Sequence, residues 1–431
     1  MVNAAGESAA TERIEDWCLD GIRRVELLSV DGDLLSDLTV VIPTWSRQDF
    51  VLRQLRFWST SSARLIVVDG SDSALSDRVR SVVSDHPRLT YVHDRRSFAD
   101  RLRIAGEQLS TKYAVMLGDD EFHLPSGLRS AVRILNEDQD LVGCMGQVLS
   151  FSPMHGYRRC LFSRSYPGMA DFSVLQKDPT ERLLAAMDPY TMATCYAVLR
   201  TPVWQRSWGS VGGYSSGVAA EMQQAFTVHL SGPFRSNDAV QWLRSVENPI
   251  NPVSDLESEL GRMLWFPEWW ENKKWHIEQQ EFLDCVTAAV AGHVELTRPE
   301  CHEAINAGAR LFVDRYRDAF EPVGQMREEL GRSKSSLLTR LTHTIVRRLP
   351  DRLALTLRRV RSIIQRWRGT QGGSYLGVVE ELPRRLEAAG LASTSELLEE
   401  IALVEKLVRD FHLLRLGQPV EARGSLRADQ K

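Results

Sequence analysis

A short apolar segment that ends in three consecutive carboxylates constrains the fold of this chain more than any other feature. The apolar run 113–117 is followed, after Gly118, by Asp119, Asp120 and Glu121, here called the acidic triplet. Such a run predicts a buried strand, and adjacent carboxylates at its end repel one another and lose solvation. A divalent cation relieves that repulsion, since Mg²⁺ and Mn²⁺ prefer oxygen ligands. The alternative is a hydrated acidic turn.

Two upstream segments have similar chemistry at their ends. Residues 38–47 begin with a β-branched run that ends at Thr44, and residues 64–72 contain a second apolar run that ends at Asp69. The intervening residues 48–58 have the apolar spacing of a helix, so the order is strand, helix, strand, with an expected right-handed crossover. Ligands of such sheets bind beyond the carboxyl ends of the strands. Thr44, Asp69 and the acidic triplet are therefore predicted to meet at one edge.

These three segments resemble the nucleotide-binding half of inverting glycosyltransferases of the GT-A fold, in the large family 2 group. Members have a first strand that ends in Ile-Pro-Thr, a second that ends in Asp-Gly-Ser, and a metal-binding acidic motif after a hydrophobic strand. The resemblance extends over roughly residues 36–250 and is greatest to a bacterial subgroup with Gly-Asp-Asp-Asp-Phe, where this chain has Glu121 in the third acidic position. It implies an α/β fold whose Rossmann-like, mostly parallel sheet is flanked by helices. A C-terminal helical region is expected to follow.

The resemblance also implies a nucleotide-sugar donor and a Mn²⁺ or Mg²⁺ cofactor. Thr44 and Asp69 would contact the base and the ribose, and Asp119 or Asp120 would meet the ribose and the metal. Glu121 or Asp120 would complete the metal site beside the diphosphate, so the resemblance leaves open which of the three carboxylates bind the metal. The residues expected to bind the donor are Thr44, Arg47, Asp69, Arg101, Asp119 and Asp120.

A basic residue is expected beside the diphosphate. Ser97 has the position of a helix N-cap, and the helix that it begins would turn Arg101 toward the cleft. A guanidinium suits bidentate phosphate contacts. The alternative is that Arg101 and Arg103 lie on a hydrated helix face.

An inverting transferase needs a general base that takes the proton of the acceptor hydroxyl. The family has a glycine turn followed by a helix that begins with an acidic pair, and this chain has Glu221 followed by Met222 at that place. Glu221 is therefore the candidate base, although an acidic residue near a helix start is also favoured by the helix dipole. Asp238 is the reserve candidate. In the same segment, Arg244 and Glu247 also have the i, i+3 spacing of an ordinary helix pair.

Length and composition agree with a soluble enzyme of more than one domain. The chain has 431 residues and 43% hydrophobic residues, with no apolar run long enough to span a membrane. Six cysteines without a metal-finger or CxxC spacing indicate free thiols in a reducing cytoplasm. The N-terminal residues 1–30 lack the apolar segment of a signal peptide. The predicted divisions are an N-terminal extension (1–35), the transferase domain (36–255), a Trp-rich and helical connection (256–330), basic amphipathic helices (331–370) and a C-terminal helical segment with a disordered tail (371–431).

Residues 331–368 differ in charge from the rest of the chain. They hold eleven basic residues and one acidic residue on a chain of net charge −4, with leucines and isoleucines between the arginines. A basic amphipathic stretch is typical of a segment that lies on an anionic membrane surface. That placement at the inner face of the membrane would suit a lipid-linked glycan acceptor. The alternatives are nucleic acid, which is the less favoured partner, and packing against the protein itself.

Two further segments are candidates for the acceptor side. Residues 188–191 precede a predicted strand and are expected near the acceptor or the donor sugar. Residues 264–275 contain four tryptophans, which either form a platform for sugar rings or pack the catalytic domain against the C-terminal helices. We favour packing, because large aromatic side chains dominate buried contacts.

The sequence therefore predicts a metal-dependent transferase that moves a sugar from a nucleotide diphosphate to a hydroxyl acceptor, with inversion. A non-catalytic scaffold of the same fold, docked on membranes, is the first alternative, because Met222 replaces the second acid of the family pair. A sugar nucleotidylyltransferase is the second alternative. It is less favoured, because its glycine-rich loop after the first strand is absent.

Overall fold

The computed structural model describes residues 4–23, 33–248, 252–332 and 375–420. Within these ranges, ten strands form one mixed sheet. The strands are β1 (Leu38–Thr44), β2 (Arg64–Asp69), β3 (Leu89–His93), β4 (Tyr113–Met116), β5 (Phe122–His123), β6 (Gly143–Pro153), β7 (Cys160–Ser165), β8 (Val198–Arg200), β9 (Phe234–Ser245) and β10 (Tyr375–Gly377). The longer helices are α1 (Ala4–Arg23), α2 (Gln48–Trp58), α3 (Asp77–Asp85), α4 (Phe98–Glu107), α5 (Pro125–Glu137), α6 (Pro179–Met187), α7 (Thr201–Ser207), α8 (Gly217–Ser231), α9 (Asp255–Leu260), α10 (Phe266–Glu271), α11 (His276–Val290), α12 (Arg298–Arg332), α13 (Leu382–Ala388) and α14 (Ser395–Arg415).

The first part of the sheet is parallel, in the order β3-β2-β1-β4. Strands β1, β2 and β4 are short, apolar and almost wholly buried, as strands covered on both faces are expected to be, whereas β3 at the edge is only partly buried. Thr44 and Asp69 are register partners, so β1 and β2 end side by side. The predicted α/β class, with the βαβ unit, the strand before the acidic triplet and the C-terminal helices, is confirmed.

The second part of the sheet is mainly antiparallel, in the order β4-β8-β6-β7-β10. The long strand β9 runs parallel to β6 and pairs antiparallel with β5. Arg244 lies within β9, opposite Ser150, so the alternative in which Arg244 and Glu247 form a helix pair is wrong. The spacing was ambiguous because pairing with β6, distant in sequence, decides the conformation of this segment.

Helices from the two ends of the chain pack together. Helix α1 packs against α2 and α14, and Arg13 Nε donates to the carbonyl oxygen of Leu414 at 3.3 Å. Helix α14 buries an apolar face that consists of Leu397, Ile401, Val404, Leu407, Val408 and Phe411. Gly390 has a φ of +71° and lies in the turn between α13 and α14.

The Trp-rich segment forms packing contacts. Trp269 is fully buried, and its ring packs with Phe266 of the same helix and with Phe282 of α11. Phe266 also packs edge-on against Phe312 of α12. The favoured interpretation, in which these aromatic residues join the catalytic domain to the helices that follow, is confirmed.

The predicted basic amphipathic stretch falls almost entirely on residues 333–374, which lie outside the described residues. The predicted contact with a membrane therefore stays a prediction. None of the described helices is long and apolar enough to cross a bilayer.

Candidate active site

The carboxyl ends of β1, β2 and β4 bring the predicted site residues to one edge of the sheet. Beside them a cleft of about 560 Å³ is lined by the residues after β1 and β2, by Asn248, and by the terminal helices. Thr11 and Glu15 of α1 and Arg415 of α14 form part of its wall. The sequence analysis did not predict that the terminal helices reach this cleft, because no local pattern carries such a long-range contact.

Two carboxylates of the acidic triplet meet a single guanidinium. Arg47 Nη1 lies 3.3 Å from Asp119 Oδ1 and 3.6 Å from Asp120 Oδ2. The hydroxyl of Thr44 donates to Asp119 Oδ2 at 2.7 Å, and the amide of Asn248 donates to Asp120 Oδ2 at 2.8 Å. Burial and the neighbouring Asp120 raise the pKa of Asp119 to about 6, although Arg47 and Thr44 act in the opposite direction. Burial therefore disfavours the charge on Asp119 unless a cation stays close.

Glu121 points elsewhere. Its Oε2 accepts from the indole Nε1 of Trp242 at 3.1 Å, and its carboxyl lies against Gly118, where an added Cβ would meet Oε2 at 2.9 Å. Burial, followed by the charge of Asp120, raises the pKa of Glu121 to about 8. Asp119 and Asp120 thus share the guanidinium of Arg47, whereas Glu121 is bonded to Trp242. This arrangement differs from a metal site made of all three carboxylates.

Asp119 and Asp120 could bind a divalent cation together with the phosphates of a substrate. The described residues contain no group of three or more His, Cys, Asp or Glu side chains arranged to hold a metal ion. Mg²⁺, however, is commonly bound through one or two carboxylates together with substrate phosphates. Two carboxylates that already share one positive group match that requirement, with Arg47 at the point where their charges converge.

Asp69 is engaged in holding the loop that follows its strand. The residue is fully buried, and its carboxylate accepts from Gln48 Nε2 at 2.7 Å, from the hydroxyl of Tyr91 at 2.6 Å and from the main-chain nitrogen of Ser71 at 2.8 Å. Those bonds fix the loop after β2 against α2 and β3. The predicted contact of Asp69 with a base or ribose stays a prediction, and the structure adds that the residue also holds the loop.

Arg101 differs from its predicted role. Ser97 does cap α4, accepting from the main-chain nitrogen of Asp100 at 3.2 Å. The Arg101 side chain is buried beneath the strand ends, however, and donates to the main-chain carbonyl oxygens of Thr44 and Val68. Gly70 is required by this approach, because an added Cβ would lie 2.6 Å from the guanidinium. The guanidinium supports the strand ends and does not face the cleft.

Glu221 lies near the start of α8, which Ser216 caps through the main-chain nitrogen of Ala219. The Tyr190 hydroxyl is 3.5 Å from Glu221 Oε1, and the Cys195 thiol, which donates to the carbonyl oxygen of Met192 at 3.0 Å, also acts to lower the pKa of the same carboxyl. Burial raises the pKa of Glu221 to about 8. Thus the predicted segment 188–191 does reach the candidate base, through Tyr190.

The candidate base and the acidic triplet belong to one electrostatic neighbourhood. Burial, then Glu221 and Glu121 in that order, hold the pKa of the Cys195 thiol well above its usual range. The pKa of Tyr196 is likewise raised, by burial first and then mainly by Glu121. The reserve base, Asp238, is solvent-exposed on β9. The geometry therefore favours Glu221 over Asp238.

Arg244 is the functional candidate that sequence reasoning missed. It is half-buried near the end of β9, and its guanidinium lies 5.7 Å above the ring of Tyr166. Within the described part of the chain it forms no hydrogen bond or ion pair. Its charge lowers the pKa values of Glu121 and Glu221, so the group lies within electrostatic range of both carboxyls. Only the pairing of β9 with β6 reveals this position.

Three aromatic rings stack beside Arg244. The ring of Trp242 stacks on Tyr196 at 4.1 Å between centroids and on Tyr166 at 5.8 Å. Tyr166 has a left-handed backbone, with a φ of 48°, which is costly for a residue other than glycine. The rings thus form one wall beside Glu121 and Arg244.

No family model matches the chain, and no curated protein matches it in sequence. Among solved structures it is similar to S. aureus TarS 1–349, at 12% identity and a TM-score of 0.40, over 89% of this chain and 93% of that chain. The complexes of TarS 1–349 with UDP and with UDP-GlcNAc match over the same shares, at 10% and 12% identity and a TM-score of 0.39 each. Similarity at this level identifies neither a family nor a function, so the functional assignment depends on the side chains described above.

Proposed function

We propose that this protein is a glycosyltransferase that moves a sugar from a nucleotide-diphosphate donor to a hydroxyl acceptor, with inversion. The observation that carries the proposal is the convergence of two kinds of carboxyl group around one edge of the sheet. Asp119 and Asp120 share the guanidinium of Arg47 beside an open cleft, and Arg244 lies within electrostatic range of both Asp120 and Glu221, whose pKa is about 8. Pairs of carboxyls whose environments set different pKa values are typical of acid–base catalysis.

Donor binding is assigned to the cleft beside β1 and β2. Its polar lining includes Ser46, Ser71 and Ser73, which offer hydroxyls to a nucleoside, and Arg47 stands where the phosphates would enter. Asp119 and Asp120 would hold Mn²⁺ or Mg²⁺ beside the diphosphate. When bound, that cation stabilises the negative charge that develops on the leaving nucleoside diphosphate.

Arg244 is assigned to the same leaving group, in the place that the sequence analysis gave to Arg101. Its planar guanidinium is free to form paired hydrogen bonds to phosphate oxygens. The Tyr166 ring beneath it restricts its orientation. Arg101, whose donors reach the carbonyl oxygens of Thr44 and Val68, lacks that freedom.

Glu221 is assigned as the general base. In the transfer, the bond between the acceptor oxygen and the anomeric carbon forms while the bond from that carbon to the diphosphate oxygen breaks. The acceptor proton passes to a carboxylate oxygen of Glu221, and the electron pair of the broken bond leaves with the diphosphate. The substitution takes place at the face opposite the leaving group, so the anomeric configuration inverts.

A thermal-shift screen tests this function. Purified protein is mixed with UDP, GDP, ADP, CDP, dTDP or UDP-GlcNAc, each with and without Mn²⁺. A ligand at ~100 times its dissociation constant adds about 2.7 kcal/mol, which raises the melting temperature measurably. We expect one nucleotide class to stabilise the protein in the presence of Mn²⁺, and Asp120→Asn to abolish that effect. Absence of any shift would contradict the donor site and favour a non-catalytic scaffold.

Glu221→Gln then separates catalysis from binding. Since Glu221 lies outside the cleft that is assigned to the nucleotide, this variant is expected to bind the nucleotide normally and to lose transfer. A scaffold would instead bind its partners equally well with and without the Asp120 carboxylate. The acceptor and the sugar are identified afterwards, with the nucleotide class that the screen selects.

A further inference from the structure

The main chain of the acidic triplet is held by two buried side chains of α2. Gln54 Nε2 donates to the carbonyl oxygens of Asp119, at 3.1 Å, and of Glu121, at 2.6 Å. Arg53 Nη2 donates to the carbonyl oxygen of Asp120 at 2.8 Å. Both side chains are fully buried, so these bonds are shielded from water. The main chain of all three residues of the acidic triplet is thus held in place by a single helix.

Arg53 is oriented in turn by Glu247. Two bonds of 2.9 and 3.2 Å join the guanidinium to the two oxygens of the Glu247 carboxylate, and both side chains are buried. The rings of Phe50, Phe122 and Phe411 lie 4.8–5.0 Å from the guanidinium carbon. In such surroundings the guanidinium has one favourable direction, because an unpaired buried charge is very costly.

The last member of this network belongs to the C-terminal helix. His412 of α14 lies with Nε2 2.5 Å from Glu247 Oε1, and its ring stacks on Tyr157 at 4.1 Å between centroids. The residue after Glu247 is Asn248, whose amide donates to the Asp120 carboxylate at 2.8 Å. Helix α14 therefore reaches Asp120 by two routes, through Arg53 to its carbonyl oxygen and through Asn248 to its side chain.

Stability alone does not account for this arrangement. Helix α14 already buries six apolar side chains, and a buried ion pair is often no more stabilising than apolar residues of similar size. The network instead ends on the residue whose carboxylate the proposed function needs most. Both Nη atoms of Arg53 and both carboxylate oxygens of Glu247 are paired, and buried pairing of this kind restricts the geometry of the groups at the end of the network.

We propose that His412 and Glu247 are positioning residues of the donor site, so that the C-terminal helix sets the geometry of Asp120. This inference depends on the proposed function, because it assigns the purpose of the network to donor binding. Loss of the His412 contact removes one of the bonds that orient the Glu247 carboxylate, which loosens the positions of Arg53 and Asn248 together. The Asp120 carboxylate then meets the donor diphosphate and its cation in a poorer geometry.

The test compares two variants of the same helix in the full-length protein. His412→Ala removes the contact to Glu247, whereas Val404→Ala removes a fully buried apolar side chain two turns earlier that has no polar atom and so is not part of the hydrogen-bonded network. The Kd of each of UDP, GDP, ADP, CDP and dTDP with MnCl₂ is measured by calorimetry, and the melting temperature of each variant is recorded. We expect His412→Ala to weaken binding of the nucleotide that the wild type prefers by about tenfold, as for other residues that orient a ligand-binding carboxylate.

The control should separate geometry from stability. Val404→Ala is expected to lower the melting temperature at least as much as His412→Ala while leaving the Kd within about twofold of the wild type. His412→Gln, which keeps a side-chain N–H donor, should restore most of the affinity. If His412→Ala does not fold, His412→Phe provides the second variant, because it fills the same space and keeps an aromatic ring on Tyr157 but has no N–H donor for Glu247.

Three outcomes are distinguished. Weaker binding in His412→Ala but not in Val404→Ala supports the inference. Unchanged binding in His412→Ala, or equal weakening in both variants, overturns it while the proposed function stands. A wild-type protein that binds no nucleoside diphosphate overturns the proposed function, and this inference with it.

Discussion

At the scale of single residues, the chemistry of the site depends on how each carboxyl is surrounded. Asp119 and Asp120 lie beside Arg47, whereas Glu221 is enclosed by Tyr190 and Cys195 and has no bonded cation in the described structure. A shared cation favours the ionised form of a carboxyl, and burial favours the neutral form. Carboxyl groups thereby serve two purposes: Asp119 and Asp120 are assigned to binding the charged donor, and Glu221 is assigned to accepting a proton.

The first prediction concerns the pH dependence of the rate. Because burial raises the pKa of Glu221 to about 8, the base is mostly protonated at neutral pH and must ionise to act. We expect kcat/KM to rise about tenfold per pH unit below pH 8 and to level off above it. Glu221→Gln should lower kcat by roughly 10²–10⁴-fold at pH 8. A profile that is already flat at pH 6.5 would contradict Glu221 as the base.

The second prediction concerns Arg244. Arg244→Gln removes the charge assigned to the leaving diphosphate and should weaken binding of nucleoside diphosphate and inorganic pyrophosphate by roughly tenfold or more, since hydrogen bonds to charged groups contribute about 1.5–3 kcal/mol. The base should also titrate at higher pH, because Arg244 lowers the pKa of Glu221. Arg235→Gln is the matched control, as Arg235 lies exposed at the other end of β9. Equal pyrophosphate affinity in both variants would argue against the assignment.

At the scale of elements, the turns after the strands depend on close approaches that only glycine permits. Gly70 has no left-handed backbone, and its requirement comes from Arg101, whose guanidinium occupies the space where a Cβ would stand. That guanidinium holds the carbonyl oxygen at the end of β1, next to the hydroxyl that binds Asp119. The loop after β2 and the acidic triplet are therefore coupled through the end of β1.

The third prediction follows from that contact. Gly70→Ala forces either the backbone or Arg101 to move and should destabilise the fold by about 1–3 kcal/mol. It should also weaken nucleotide binding, because the end of β1 shifts. Gly213→Ala is the control, since nothing lies within 4 Å of its added Cβ. The comparison uses chemical denaturation for stability and calorimetry for binding, and a Gly70→Ala protein as stable as Gly213→Ala would show that the approach is not required.

Local patterns were enough to predict the elements that carry the site. The β-branched run of β1, the helix 48–58 and the Ser97 cap depend on residues that are near one another in sequence, and all three are present. The contacts of Arg53 and Gln54 with the acidic triplet span more than sixty residues, and the contact of His412 with Glu247 spans 165. No periodicity or cap signal reports such contacts. Asp69 and Arg101 were assigned to ligands for the same reason, since a sequence does not show that their polar atoms are already bonded inside the fold.

At the scale of the whole molecule, the fold buries several titratable side chains whose pKa values are shifted by burial. Glu121 and Glu221 have raised pKa values of about 8, and burial lowers the pKa of His123 to about 4 and that of His229 to about 3. Each of these groups gains or loses a proton on unfolding over part of the pH range. The stability of the protein must therefore depend on pH in a way that these shifts determine.

The fourth prediction is the shape of that dependence. Glu121 and Glu221 ionise on unfolding above their ordinary pKa, so stability falls as the pH rises toward 8. His123 and His229 gain protons on unfolding below about pH 6.5, so stability also falls as the solution becomes more acidic, down to about pH 3–4. The opposing slopes overlap between about pH 4.5 and 6.5, where we expect the highest melting temperature.

Variants of the two glutamates test this account and connect it to function. Glu221→Gln keeps the neutral form at every pH, so it should be more stable than the wild type at pH 8 and nearly as stable at pH 5. The same variant is expected to be inactive. Together, the gain in stability and the loss of activity would show that the buried environment of Glu221 lowers the stability of the protein near pH 8, where the base is active. Melting temperatures recorded between pH 3 and pH 9 provide the measurement. A wild-type protein that is most stable at pH 8 would mean that Glu221 is ionised in the folded state at that pH, and would remove the reason to expect an alkaline limb in the rate.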